Sequence, residues 1–138
     1  MDIIRQDTDY AMRALVHLGL HRGGEPISAK VLANKEDIPE DFAYKLLRHL
    51  AKAGLVESHM GIQGGFSLAR DPENILFLEV VQAVQGPVTV RKCILGKSEA
   101  CPRYDTCPVS AKLSDLQETV TEFMSKLTLA KVLEAVDS

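Results

Sequence analysis

The stretch Pro39-Glu-Asp-Phe-Ala-Tyr-Lys-Leu-Leu-Arg-His-Leu-Ala-Lys-Ala-Gly54, continued by Leu55-Val-Glu-Ser-His-Met60, Gly61-Ile-Gln-Gly-Gly65 and Phe66-Ser-Leu-Ala-Arg70, changes period part-way along. In its first part Phe42, Leu46, Leu47 and Leu50 recur at helical spacing, while Lys45, Arg48, His49 and Lys52 repeat on the opposite side, with Asp41 and Tyr44 near the start. Pro39 suits a first helical position. Glu40 and Asp41 suit the first turn, where unpartnered N–H groups favour negative charge. The second part reads as two short strands, Leu55 to Met60 and Phe66 to Arg70, around a glycine-rich turn.

Upstream, Ala11, Leu15 and Leu18 recur at i, i+4 and i+7 from Thr8 to about His21, with Met12 and Val16 beside them, and Gly23-Gly24 ends this helix. Ser28 caps a short helix through about Lys35. A short helix, a tight turn and a second, basic helix form a helix-turn-helix, whose second helix can enter a major groove. A hairpin directly after it is a wing. Its glycines let backbone amides approach a phosphate or a groove floor. The expected nucleic-acid contacts are therefore Asp41, Tyr44, Lys45, Arg48, His49 and Lys52 on the helix, and Gly61, Gln63, Gly64 and Gly65 on the wing.

Downstream, Asp71-Pro72 ends the wing, and Leu76, Phe77, Val80, Val81 and Val84 share one face of a helix closed by Gly86-Pro87. Beyond an irregular segment, Val109, Leu113, Leu116, Val120, Phe123 and Leu127 form a heptad seam, with Lys112, Asp115, Glu118, Glu122 and Lys126 off it. Its partner could be the chain's own core, but so narrow a stripe suits one facing helix better, which predicts a dimerisation helix. Thr128 caps a last short helix, Leu129 to Val136. The expected architecture is mainly α with a small β-hairpin wing: a winged helix-turn-helix over residues 1–86, a cysteine loop over 87–108, and a dimerisation helix with a short terminal helix over 109–138.

That middle segment holds all the cysteines, Cys93, Cys101 and Cys107, spaced C-x7-C-x5-C among Lys92, Gly96, Pro102 and Pro108. An odd count speaks against a disulfide framework. Buried structural cysteines usually sit singly on apolar faces of helices or strands. Three thiols on an irregular loop are one short of a full thiolate cage, the pattern of a metal or cluster site with a replaceable fourth ligand. Within the loop, Glu99, Asp105 and Ser110 are candidates for that ligand.

Composition is that of an ordinary globular chain, with 138 residues, 46% hydrophobic and 25% charged. No run is apolar enough to cross a membrane, and the start lacks the order of a secretory signal, so a reducing cytoplasm is expected. The net charge of −3 hides a gradient: window 42–70 carries Lys45, Arg48, Lys52 and Arg70 against Glu57 alone. Phosphate contact needs such a local basic surface, which total charge does not report. An enzyme reading is poor. His17, His21, His49 and His59 all lie in the winged half, and none forms a recognisable pair with a cysteine.

Thr8-Asp-Tyr-Ala-Met-Arg-Ala-Leu, Leu50-Ala-Lys-Ala-Gly-Leu-Val-Glu, Gly61-Ile-Gln-Gly-Gly-Phe-Ser-Leu-Ala-Arg-Asp, Glu79-Val-Val-Gln-Ala-Val-Gln-Gly-Pro and the three-cysteine loop together resemble the Rrf2 family of bacterial transcription regulators, over nearly the whole chain. The resemblance implies a homodimeric winged helix-turn-helix regulator, a repressor in the first instance, on double-stranded DNA with a palindromic operator. Its IscR, NsrR and RirA branches carry an iron–sulfur cluster on three cysteines and respond to cluster status, nitric oxide or iron. For this chain that implies a cluster on Cys93, Cys101 and Cys107, a four-iron form ahead of a two-iron form, and absent from preparations made in air. NsrR-like relatives supply a carboxylate from the first helix of the other subunit, which falls on Asp9 here. Other branches carry no cluster and act through thiol oxidation or a partner protein. Two departures stand out: the histidine that IscR-like members place three residues past the last cysteine is Ser110, and the frequent wing arginine is Met60.

Overall fold

The computed structural model describes residues 2–91, 103 and 105–137. The described elements are α1 (Gln6–Leu20), α2 (Ala29–Glu36), α3 (Glu40–Lys52), β1 (Val56–His59), β2 (Gly65–Leu68), a 3₁₀ turn (Pro72–Asn74), α4 (Phe77–Gln85), α5 (Pro108–Lys126), α6 (Leu129–Glu134) and a closing 3₁₀ turn (Ala135–Asp137). The mainly helical architecture with one antiparallel hairpin is the one expected.

The core forms where the helical stripes meet. Ala11, Ala14, Leu15 and Leu18 of α1 pack with Leu32, Ala33, Leu46, Leu47 and Leu50 of the helix-turn-helix, and Leu55, Phe66, Ile75 and Val80 close the far side. Ser28 caps α2, its hydroxyl accepting the Val31 N–H at 3.2 Å. Asp37, in the left-handed region at φ 55°, ends that helix. The turn to α3 is only Ile38-Pro39, and this corrects the expected helix start. Pro39 is extended at ψ 134° and serves as the N-cap, its carbonyl taking the Ala43 N–H at 2.9 Å.

In the wing Val56 faces Leu68, Glu57 faces Ser67, Ser58 faces Phe66 and His59 faces Gly65. The strands are shorter than the sequence reading: Met60 already belongs to the turn, and at the other end one further bond, from the Ala69 N–H to the Leu55 carbonyl at 3.1 Å, closes the ladder. Phe66 also exchanges backbone hydrogen bonds with Ile27, at 2.8 and 2.9 Å, which fastens the α1–α2 connection onto the hairpin as a third rung.

The C-terminal helix returns to this core. Thr128 caps α6 through the Lys131 N–H, Leu129 is 1% exposed, and the Phe77 and Leu129 amides bond to the Leu127 and Ile75 carbonyls. A Cβ on Gly19 of α1 would lie 2.9 Å from the Leu133 side chain, so glycine there lets α6 seat closely on α1. The core begun in residues 1–86 is thus completed by residues beyond α5. On α5 itself Val109, Leu116 and Phe123, seven residues apart, remain 61%, 47% and 64% exposed.

Candidate nucleic-acid interface and cysteine site

Burying Ala43, Leu46, Leu47 and Leu50 forces the intervening residues of α3 outward. Tyr44, Lys45, Arg48 and Lys52 are exposed and His49 is half-buried, and together they line one cleft of about 270 Å³. Among the described residues Lys45, Arg48 and Lys52 form no ion pair with a carboxylate, so three cations stand available on one helix face. Asp41 lies exposed in the first turn. The Arg48 guanidinium sits over the Tyr44 ring at 6.0 Å, and Tyr44 meets Phe66 of β2 edge-on at 6.3 Å. Tyr44 therefore joins the helix face to the wing. Arg70 does not belong to this surface. It turns to Glu79 at 2.7 Å, and Glu79 also accepts the Leu76 N–H, so one of the four cations counted in window 42–70 is engaged at the start of α4.

The wing glycines have internal reasons. Gly61 has φ +105°, a backbone state side chains rarely adopt. A Cβ on Gly64 would lie 2.3 Å from the His59 carbonyl oxygen, and one on Gly65 2.5 Å from the Ile27 carbonyl. The hairpin's own close packing thus requires Gly64 and Gly65 before any ligand is considered. Gln63 is exposed at the tip.

Of the sequence-predicted cysteine site, Cys93, Cys101 and Glu99 lie outside the described residues. Cys107 is the N-cap of α5, followed by Pro108. The nearby Ser110 and Val109 backbone N–H groups hold its partly exposed thiol below the usual thiol range. Ser110 Oγ donates to the Cys107 carbonyl at 3.0 Å. Asp105 is exposed. Asp9 sits in the first turn of α1, its carboxylate 3.0 Å from the Arg13 guanidinium in an exposed i,i+4 pair. No cluster of three metal-ligating side chains is found among the described residues.

His17 is buried, with Nδ1 3.1 Å from Glu36 Oε2, and its ring stacks on His21 at 4.5 Å, so this pair ties α1 to α2. Two glutamines carry positions that the sequence reading did not single out. Gln85 accepts from the Arg5 N–H and the buried Thr8 hydroxyl and donates to the Ile3 carbonyl. Gln117 of α5 bonds to Val88 and Val90. Gln85 lies within the quoted stretch Glu79 to Pro87 and Gln117 in no motif, and neither reveals its role, because a glutamine that bonds backbone leaves no partner type to look for.

A basic helix-turn-helix with its hairpin facing the same way defines a winged-helix DNA-binding regulator. Residues 4–135 match the Rrf2 family, described as iron-dependent transcriptional regulators, and the chain belongs to that family. It is 32% identical over 125 residues to the HTH-type transcriptional regulator IscR of Xenorhabdus nematophila, covering 91% of this chain and 75% of that protein. Among solved structures T. potens IscR superposes with a TM-score of 0.77 at 25% identity, covering 96% of this chain and 87% of that one. CymR, the global cysteine regulator of B. subtilis, superposes at 0.78 with 24% identity and 98% coverage of both chains, a likeness of fold. The chain is a transcriptional regulator and not an enzyme. No helix among the described residues is long and apolar enough to cross a membrane.

Proposed function

We propose that this regulator binds a roughly palindromic operator as a homodimer, chiefly as a repressor, and that an iron–sulfur cluster held by Cys93, Cys101 and Cys107 sets its operator affinity. The observation that carries this reading is the position of Cys107 at the head of α5. The same helix bears the exposed seam of Val109, Leu116 and Phe123, which a second copy would cover.

The chemistry of Cys107 fits a ligand. A metal takes the thiolate, and here helix N–H groups already favour the thiolate on a partly exposed sulfur. When bound, such a cluster supplies an iron centre that reacts with oxidants or nitric oxide. The chain's own part is mechanical. Cys107 is joined to α5 without a linker, so a shift at the thiol moves the helix against its partner and changes the spacing of the two α3 helices. On each half-site Tyr44 and Lys45 would reach base edges, while Arg48 and Lys52 neutralise phosphate. A coupling of about 1–3 kcal/mol between effector and DNA suffices to switch occupancy.

Anaerobically reconstituted protein tests this. Colour, iron and sulfide in the ratio of one cluster per chain, all lost in Cys107→Ala, are expected. Colourless protein that takes up no iron would favour the second reading: thiol oxidation at Cys107, which the same lowered thiol pKa supports.

A further inference from the structure

The tip of the hairpin carries the two most exposed large apolar side chains among the described residues, Met60 at 94% and Ile62 at 106%. An exposed isoleucine on a loop tip contributes nothing to a core, so folding does not explain it. The sequence Met60-Gly-Ile-Gln-Gly-Gly65 holds no charge, whereas the adjoining face of α3 presents Lys45, Arg48 and Lys52. A tip without a cation adds little to phosphate binding beyond what its amides supply.

The tip is held as a turn: Gly64 donates its N–H to the Gly61 carbonyl at 3.0 Å, and the backbone at Gly64 runs too close to the His59 carbonyl to admit a side chain. It is continuous with the α3 face through a depression lined by Tyr44, Ser58, His59, Met60, Gly65 and Phe66. Proteins that use the minor groove often insert apolar side chains between base steps, partly unstacking them; an uncharged, apolar projection beside a basic helix has that chemistry.

We infer that Met60 and Ile62 form an apolar wedge that enters the minor groove beside the bases faced by α3 and partly unstacks one step there. The inference rests on reading α3 and the hairpin as the DNA-facing surface, and it names the side chains that act at the wing. The wedge adds sequence preference without base hydrogen bonds: pyrimidine–purine steps open most easily, so they are favoured under the tip.

The probe is a duplex of about 30 base pairs, long enough for two half-sites one helical turn apart. It is enriched from a randomised pool by the wild-type protein, then rebuilt with 2-aminopurine at adenines flanking the protected bases. Wild-type binding should raise fluorescence at one flanking pyrimidine–purine step. Ile62→Ala should remove that rise and weaken binding about tenfold, the scale of one buried aliphatic side chain, with an unchanged salt slope and thermal midpoint. Met60→Ala should do the same in smaller measure, and Ile62→Phe should keep the signal. Wild-type affinity and fluorescence in the doubly substituted protein would overturn the inference, as would a loss of affinity accompanied by a shallower salt slope, which marks a phosphate contact. Failure of the wild-type protein to enrich any duplex would overturn the DNA-facing reading beneath it.

Discussion

Gln117, midway along α5, accepts the Val90 N–H at 2.8 Å and donates to the Val88 carbonyl at 2.7 Å. One side-chain amide thereby satisfies both backbone groups of the segment that leaves α4 towards the cysteines, as a neighbouring strand would. It stands beside Leu116 of the exposed seam, so the entry to the cysteine segment is tied to the seam-bearing helix.

Gln117→Ala should cost about 2 kcal/mol in urea unfolding, two hydrogen bonds at about 1 kcal/mol each. Gln117→Glu is the sharper variant, since a carboxylate can accept from Val90 but cannot donate to Val88. Faster exchange of the Val90 amide, followed by NMR, should accompany both. Slow exchange in Gln117→Ala would show that the clamp holds nothing.

On α3, Lys45 and Lys52 should separate by type of contact. Lys52→Ala should weaken all duplexes alike and lower the salt slope by about 1, whereas Lys45→Ala should relax preference at one base pair by about 1–3 kcal/mol. Arg70→Ala should leave the salt slope unchanged, because Arg70 is held by Glu79. A titration series in salt checks all three.

Asp9→Ala should leave the melting behaviour nearly untouched, because its pair with Arg13 is exposed and worth at most about 0.5 kcal/mol. Under the ligand reading of Asp9 it should still assemble a cluster on the three cysteines, but with an altered visible spectrum and weakened coupling to DNA. A spectrum, nitric oxide reactivity and DNA switching identical to wild type would leave Asp9 as a helix-start residue only.

Alkylation of Cys107 in the cluster-free protein should stay fast as pH falls through the ordinary thiol range, because the depressed pKa keeps the thiolate populated there. The sign for stability is the same. Any contribution of this thiolate is present above the unfolded thiol pKa and is lost as pH falls through the lower, folded one. Peptide mapping after timed iodoacetamide exposure, compared with a denatured control, reads the shift. Equal midpoints in the two samples would show that the helix N–H groups do not act on the sulfur.

Under the proposed homodimer reading, Leu116→Asp or Phe123→Asp should give monomer in sedimentation equilibrium where the unsubstituted chain gives dimer, and should weaken operator binding. Each places a charge on a seam that is exposed in the single chain, so the isolated fold should survive. An undisturbed dimer would move the interface off α5.

Much of this molecule was legible before any coordinates. Ser28 and Thr128 cap the helices expected of them, because N-capping depends on a side chain and an amide only three residues apart. The two faces of α3 follow from the 3.6-residue period and the hairpin from two short runs around a glycine-rich turn, all local signals. Charge counting went astray at Arg70 for the opposite reason: whether a cation is free depends on Glu79, nine residues on and brought near by the turn at Pro72.

Local pattern therefore determined the element order, the basic helix and the wing, since these depend on residues within a few positions of one another. Tertiary structure decided what long-range packing alone can decide. Leu129 and Leu133 return past α5 to complete the core against α1, and Gly65 is required by the carbonyl of Ile27. Arg70 leaves the basic face because the turn at Pro72 brings Glu79 to 2.7 Å from it. The physical reason is common to these cases: a close approach comes from where the folded backbone runs, and spacing along the chain does not record it.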